Sequence, residues 1–174
     1  MSGQGRTANA TGRAFVYGDG IDTDVLAPGH AMKLGPDGLA RHCLEAIDPD
    51  FASSVRPGDI LFAGADFGIG SSREQAAISL KKLGIAAVFA RSFARIFYRN
   101  AINIGLPAFV FPHAGAIRGG DAVNLDLLSG QIANITTGKT YAFVPMPEHL
   151  RTMIEAGGLM ESLKTRFGAR EALS

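Results

Sequence analysis

The sequence predicts an α/β fold: a central β-α-β-α-β unit of parallel strands, with antiparallel strands added after it. Three observations carry this prediction. Between residues 59 and 111, apolar runs of strand length alternate with helix-length amphipathic segments joined by short turns, the pattern of right-handed crossovers between parallel strands. Beyond "RGGD" (118–121) the hydrophobic period changes to two, with Gly turns, as antiparallel structure requires. Finally, 174 residues with 47% hydrophobic content suffice for one domain with a sizeable core.

The elements follow in order. The polar start, "MSGQGRTANATGR", carries no apolar run and is expected to be a flexible lead-in over residues 1–12. "RAFVY" (13–17) is β-prone and stops at "GDGIDTD" (18–24), whose Gly and Asp residues favour a loop. "LARHCLEAI" (39–47) spaces Leu39, Cys43, Leu44 and Ile47 to share one helix face. "DILFAGADFGIG" (59–70) gives a buried strand, and "SREQAAISLKKLG" (72–84) a helix ended by Gly84. "IAAVFA" (85–90) is the second central strand, "SFARIFYRNAINIG" (92–105) a helix ended by Gly105, and "LPAFVF" (106–111) the third strand. Alternation in "AVNLDLLSG" (122–130) and "QIANITTGKTYAFV" (131–144) predicts the antiparallel strands. "PEHLRTMIEAGG" (147–158) closes the pattern as a helix with Pro147 near its start and Gly157 at its end.

Composition excludes several functions. Lys+Arg 17 against Asp+Glu 16 gives a net charge of +1, and no basic stripe with interleaved aromatics is present, so neither nucleic acid nor an anionic membrane is an expected partner. No run approaches the roughly eighteen apolar residues of a spanning helix. The single cysteine, Cys43, can form no internal disulfide and cannot alone hold zinc or an iron–sulfur cluster, and a reducing cytoplasm is the expected compartment.

The stretch that asks for chemistry is "FGIGSSREQA" (67–76), at the mouth of the first central helix. Ser71 or Ser72 falls at the expected N-cap, and Glu74 stands three residues after Ser71 at the spacing of a capping box. Capping leaves Gly68, Gly70 and Arg73 unexplained. Glycines before a helix N-terminus let a ligand approach free N–H groups, and Arg73, in the first turn, is opposed by the helix dipole, so it calls for an anion. Arg73 occupies the third glycine position of a dinucleotide fingerprint, and no G-K-[ST] follows, so a small carboxylate or phosphate is the expected ligand.

Four blocks carry a resemblance: "GDGIDTDVLAP" (18–28), "FGIGSSREQA" (67–76), "SFARIFYRNAINIGLP" (92–107) and "TTGKTYAFVPMP" with "IEAGGL" (136–159). In that order they resemble the 3-isopropylmalate dehydratase small-subunit family, equivalent to the swivel domain of the aconitase family. The likeness spans residues 13–164 and leaves 165–174 as a C-terminal tail. It implies a swivelling β/β/α domain that closes over a large subunit holding a four-iron iron–sulfur cluster, with no cofactor on this chain. The implied activity is that of a hydro-lyase acting on a hydroxy di- or tricarboxylate such as isopropylmalate.

Carried over residue by residue, the resemblance makes Ser71 the catalytic base and Ser72 and Arg73 carboxylate-binding groups beside Gly70, and it makes Asp24 a second catalytic residue, an acid facing the cleft. Serine is too weak an acid to serve as a base unless amides, a helix N-terminus or a cation stabilise its alkoxide. All three are expected at Ser71. Arg95, in "SFARIF", is a further candidate for the substrate site, although Arg91, Arg95 and Arg99 at spacings of four also fit a solvated stripe. The chain departs from the family at Ile69, where Cys, Thr or Ser is usual, and at Gln75, where histidine is usual. "PGHAM" (28–32) replaces a pattern near "PARYL", so His30, Ala31 and Met32 are expected to set the choice of substrate side group.

Other readings stay open: a related substrate (homoaconitate, citraconate or a substituted malate), or a regulatory module that binds an anion without turnover. The isolated chain is also free to form a homo-oligomer. Asp19, Asp22 and Asp24 lack EF-hand spacing and are expected to stabilise turns. His30, His42, His113 and His149 show no i, i+4 pair, so no metal site is expected.

Overall fold

The computed structural model describes residues 9–158. Its seven strands form one sheet in the order β4-β3-β2-β1-β5-β6-β7. β1 (Asn9–Val16) sits between two kinds of sheet. Its last residues pair in parallel with β2 (Ile60–Ala63), while its first five pair antiparallel with β5 (Ala122–Asp126). The changeover lies at Gly12 and Arg13. A side chain at Gly12 would overlap the Gly58 carbonyl oxygen and lie 2.9 Å from Asp59 Cα, so the backbones cross at a distance only glycine permits. On the parallel side, β3 (Ala87–Ala90) and β4 (Ala108–Val110) continue the sheet; on the other, β6 (Gln131–Asn134) and β7 (Lys139–Ala142) continue it antiparallel. The α/β class and both halves of the predicted sheet are present.

Strand side chains alternate between two cores. Leu61, Ala63, Val88 and Ala90 pack with α4 (Glu74–Lys82) and α5 (Arg95–Asn103) through Ala76, Ala77, Leu80, Phe97 and Ala101. Ile60, Phe62, Ala87 and Phe89 face the opposite side, against Phe109, Phe111, Val123, Leu125 and Ile132, with Ile154 of α6 (Glu148–Glu155). β2 and β3 are buried on both faces, which is why they read as unbroken apolar runs. Each such Leu, Ile or Phe contributes about 1.5–3 kcal/mol through burial. Among the described residues, no helix is long and apolar enough to cross a membrane.

Three local expectations are corrected. β1 begins at Asn9, inside the stretch expected as lead-in, because β5 supplies a partner for residues 9–13. No helix covers 39–47. Instead α2 (Gly35–Ala40) starts earlier, with Pro36 in its first turn, and turns follow it. Leu44 is buried at φ 63°, its N–H donating to Val25 O at 2.9 Å, while Ile47 is exposed; the tertiary bond overrides the helical pattern. Finally, α4 starts at Glu74 with Arg73 as N-cap, so neither Ser71 nor Ser72 occupies the cap position.

Candidate active site

Two loops that leave neighbouring parallel strands are laced together. Gly68 N–H donates to Ile21 O at 2.7 Å, Thr23 N–H donates to Ile69 O at 2.8 Å, and Asp22 and Ile69 form a parallel bridge. These bonds carry the β1–β2 pairing past the strand ends and bring residue 24 against residue 73. The same loop is tied to the start of α5, where Ala94 N–H donates to Phe67 O at 2.9 Å. All three segments leave the C-terminal ends of parallel strands, the edge where open α/β sheets hold ligands.

Both loop glycines have positive φ, 84° at Gly68 and 106° at Gly70. A side chain at Gly68 would overlap Cβ and Cγ of Phe97, and one at Gly70 would lie 3.1 Å from Thr23 Oγ1. The close approach expected from these glycines is therefore to the protein's own Phe97 and Thr23, and it fixes the loop's path.

Arg73 likewise has a partner within the chain. Its Nη1 donates to Asp24 Oδ1 at 2.8 Å and to the Ala27 carbonyl at 2.9 Å. Asp24 Oδ1 also accepts from Gly29 N–H at 3.1 Å. The Arg73 hydrogen bond, helped by the Gly29 N–H, holds the Asp24 carboxyl below the usual carboxylate range. The anion expected opposite Arg73 is thus, in the first instance, Asp24. Its neighbours serve the turns as predicted: Asp22 Oδ1 caps α1 (Thr23–Leu26) by accepting Val25 N–H at 2.8 Å, and Asp19 Oδ1 accepts Ala65 N–H at 2.7 Å.

Ser71 and Ser72 are exposed immediately before α4, and the Ser71 carbonyl accepts Arg73 N–H at 2.8 Å. Among the described residues no side chain caps α4, so the capping box predicted for Ser71 and Glu74 does not form. Ile69 and Gln75 are exposed as well. Of the three residues expected to sort substrates, on a 3₁₀ segment over Gly29–Leu34, only His30 is exposed: Ala31 is buried in the helix-side core and Met32 packs against it. Arg95 opens α5 on the same sheet edge and is exposed, and among the described residues no bond joins it to Ser71 or Arg73.

Sequence spacing missed two features. The backbone groups of Ala27 and Gly29 complete the Arg73–Asp24 arrangement, and no side-chain pattern could reveal them. His30 meets His42 and Glu45: His30 Nε2 lies 3.1 Å from Glu45 Oε1, and His42 Nδ1 lies 2.7 Å from Glu45 Oε2. The i, i+3 spacing of His42 and Glu45 was the available signal.

Comparisons with known proteins agree with this architecture. Residues 43–114 match the Aconitase C-terminal domain. The 3-isopropylmalate dehydratase small subunit of Nautilia profundicola is 51% identical over 155 residues, covering 88% of this chain and 93% of that protein. The 2,3-dimethylmalate dehydratase small subunit of Eubacterium barkeri is also 51% identical, over 153 residues, covering 87% and 94%. A crystal structure of 3-isopropylmalate dehydratase from Methanocaldococcus jannaschii superposes with a TM-score of 0.90 at 42% identity, covering 95% of this chain and 99% of that one. The chain therefore belongs to the 3-isopropylmalate dehydratase small-subunit family of aconitase-type hydro-lyases.

Proposed function

We propose that this chain supplies one half of an active site that reversibly dehydrates a hydroxy-dicarboxylate of the substituted-malate class, the other half lying on a large subunit. One observation carries the reading: two exposed serine hydroxyls stand at an uncapped helix N-terminus beside an arginine whose guanidinium is already oriented. Nη1 of Arg73 is committed to Asp24 and Ala27, which leaves the outer edge of the guanidinium, Nη2 and Nε, for a substrate carboxylate. Ser71 removes the proton from the carbon next to that carboxylate as hydroxide leaves the neighbouring carbon toward the large-subunit half of the site, and the C–H electron pair becomes the C=C bond. Its alkoxide is stabilised by the N–H groups and dipole at the start of α4 and by the Arg73 charge. Ser72 and the Gly70 backbone bind the carboxylate with Arg73, and Asp24 acts by positioning Arg73. Arg95 attracts the same anion from the neighbouring helix start.

The four-iron cluster of aconitase-type enzymes does not fit this chain. Cys43 is its single cysteine, it is buried, and burial pushes its thiol well above the usual range. The cluster, which supplies Lewis-acid chemistry when bound, is assigned to the large subunit. Two relatives equally similar in sequence carry different substrate names, so identity alone does not choose between isopropylmalate and dimethylmalate. Of His30, Ala31 and Met32, His30 is the exposed one, and we assign it the side-group contact.

Anaerobic co-expression with the large subunit, followed by assay on isopropylmalate and 2,3-dimethylmalate, tests the reading. Ser71→Ala should lower kcat by about 10² or more with little change in KM, and His30→Arg should change the ranking of the two substrates by kcat/KM. A complex in which Ser71→Ala or Ser71→Asp keeps full activity would remove Ser71 from catalysis.

A further inference from the structure

Outside the serine–arginine site, one cluster of side chains has the chemistry of a binding site. We infer that His30, His42 and Glu45 form a site for one divalent transition-metal ion of the zinc class. Their donor atoms lie within 4.8 Å of one another. Zinc bonds of about 2.0–2.2 Å in tetrahedral geometry separate neighbouring ligand atoms by about 3.4 Å. With one Glu45 oxygen as ligand, its contact with the nearer imidazole, 2.7 Å for Oε2 or 3.1 Å for Oε1, and the 4.8 Å limit on the remaining pairs bracket that value. Small movements of side-chain ends bring the three donors to it.

The donors are presented by different parts of the fold. His30 belongs to the 3₁₀ segment Gly29–Leu34, while His42 and Glu45 belong to the turns after α2. Those turns are fixed from below: Cys43 and Leu44 are buried, and Leu44 N–H is bonded to Val25 O at 2.9 Å. The two rings meet edge to face, 5.4 Å between centroids at 83°, and each turns one nitrogen to a different oxygen of the same carboxylate. Two imidazoles and one carboxylate form a three-ligand set of the kind zinc takes with one position left open. Without an ion, the ring N–H groups donate to Glu45 in the same place.

Occupancy would clip the 3₁₀ segment to the turns behind it. Gly29, next to His30, donates to the carboxylate that holds Arg73. The ion would therefore stiffen the wall of the serine–arginine site. The site stands on the donor geometry; because His30 is also assigned the substrate side-group contact, it is tested on the isolated chain, where that contact plays no part.

The test is titration of the purified full-length chain with Zn²⁺ against a chromophoric chelator near neutral pH, with Co²⁺ as spectroscopic probe. The expected result is one ion per chain, a Co²⁺ visible band without thiolate charge transfer, and weaker uptake as pH falls, because protons compete for the ligands. His42→Ala and Glu45→Gln should each weaken binding about tenfold or more, at least as much as losing an outer-shell partner does. His113→Ala, His149→Ala and Cys43→Ser should leave binding unchanged. Glu45→Gln preserves side-chain shape, and circular dichroism will show that it remains folded. Failure of the wild-type chain to take up either ion, binding that survives both His42→Ala and Glu45→Gln, or a Co²⁺ spectrum dominated by thiolate charge transfer would each overturn the site.

Discussion

Gly68 holds the serine–arginine loop against α5, and replacing it with alanine separates two costs that usually occur together. At φ 84° an L-residue pays about 1–2 kcal/mol for the left-handed conformation. The new methyl would overlap Cβ and Cγ of Phe97 and lie 2.8 Å from Cδ2. These atoms sit near the backbone of a buried residue and cannot swing away, so overpacking adds about 1–3 kcal/mol. Gly68→Ala should therefore cost about 2–5 kcal/mol, a fall in Tm of roughly 4–20 °C for a domain of this size. Gly20 is the control. Its φ is 70°, and nothing lies within 4 Å of an added Cβ, so Gly20→Ala should cost only the backbone share, about 1–2 kcal/mol. Urea denaturation of the isolated chain, followed by circular dichroism, gives both values. If Gly68→Ala costs no more than Gly20→Ala, Phe97 does not fix the loop, and the account of how the fold positions Ser71 fails.

Three further outcomes follow from the same contacts. Arg73→Lys keeps the charge but loses the planar group that reaches Asp24 and Ala27 together, so in the reconstituted complex KM should rise and kcat fall together, and parameters equal to wild type would count against the carboxylate role. Ser79, buried in α4, has a hydroxyl without a hydrogen-bond partner among the described residues; Ser79→Ala should leave stability unchanged or raise it by about 1 kcal/mol, and a clear loss would reveal a hidden partner. Asp24 is held below the ordinary carboxylate range chiefly by the Arg73 hydrogen bond, and Asp121 by the Arg118 N–H and then the Asn134 side chain. A depressed folded-state pKa gives stability that is present above the unfolded value, near pH 4, and is lost as pH falls through the folded value. Denaturation at stepped pH should thus show stability from these groups intact at pH 5 and declining below about pH 4, a decline that Asp24→Asn and Asp121→Asn should reduce.

The central sheet was legible because β2 and β3 are buried on both faces, so their burial is written as local apolar runs. The helices between them were legible for a related reason: Ala76, Ala77 and Leu80 form one apolar face, and Gly84, at φ 94°, ends the helix where the sequence places it. The turns after α2 were not. Leu39, Cys43, Leu44 and Ile47 have helical spacing, but the bond from Leu44 N–H to Val25 O, formed 19 residues away, pulls Leu44 into the left-handed region and outweighs a weak local propensity. The candidate site divides in the same way. Its serines, glycines and arginine stand in one contiguous motif, whereas the Asp24–Arg73 contact spans 49 positions and the His30–His42 contact arises only when two turns are folded together.

The start of α4 departs from local rules in a manner that bears on chemistry. Ser71 and Ser72 precede the helix, and a serine at its N-cap would stabilise it by about 0.5–2 kcal/mol. The fold instead places Arg73 there, where its side chain can accept no hydrogen bond and its charge is opposed by the helix dipole. What compensates is tertiary: Asp24 and the Ala27 carbonyl bind Nη1, and the bridge from Asp22 to Ile69 fixes the backbone that carries them. Local stability is thus exchanged for an oriented cation and two hydroxyls not used in capping, all at the sheet edge where ligands bind. A local rule broken and compensated from a distance is what a functional constraint produces. If stability alone had shaped this segment, a serine would stand one residue before Glu74 and the arginine would lie elsewhere.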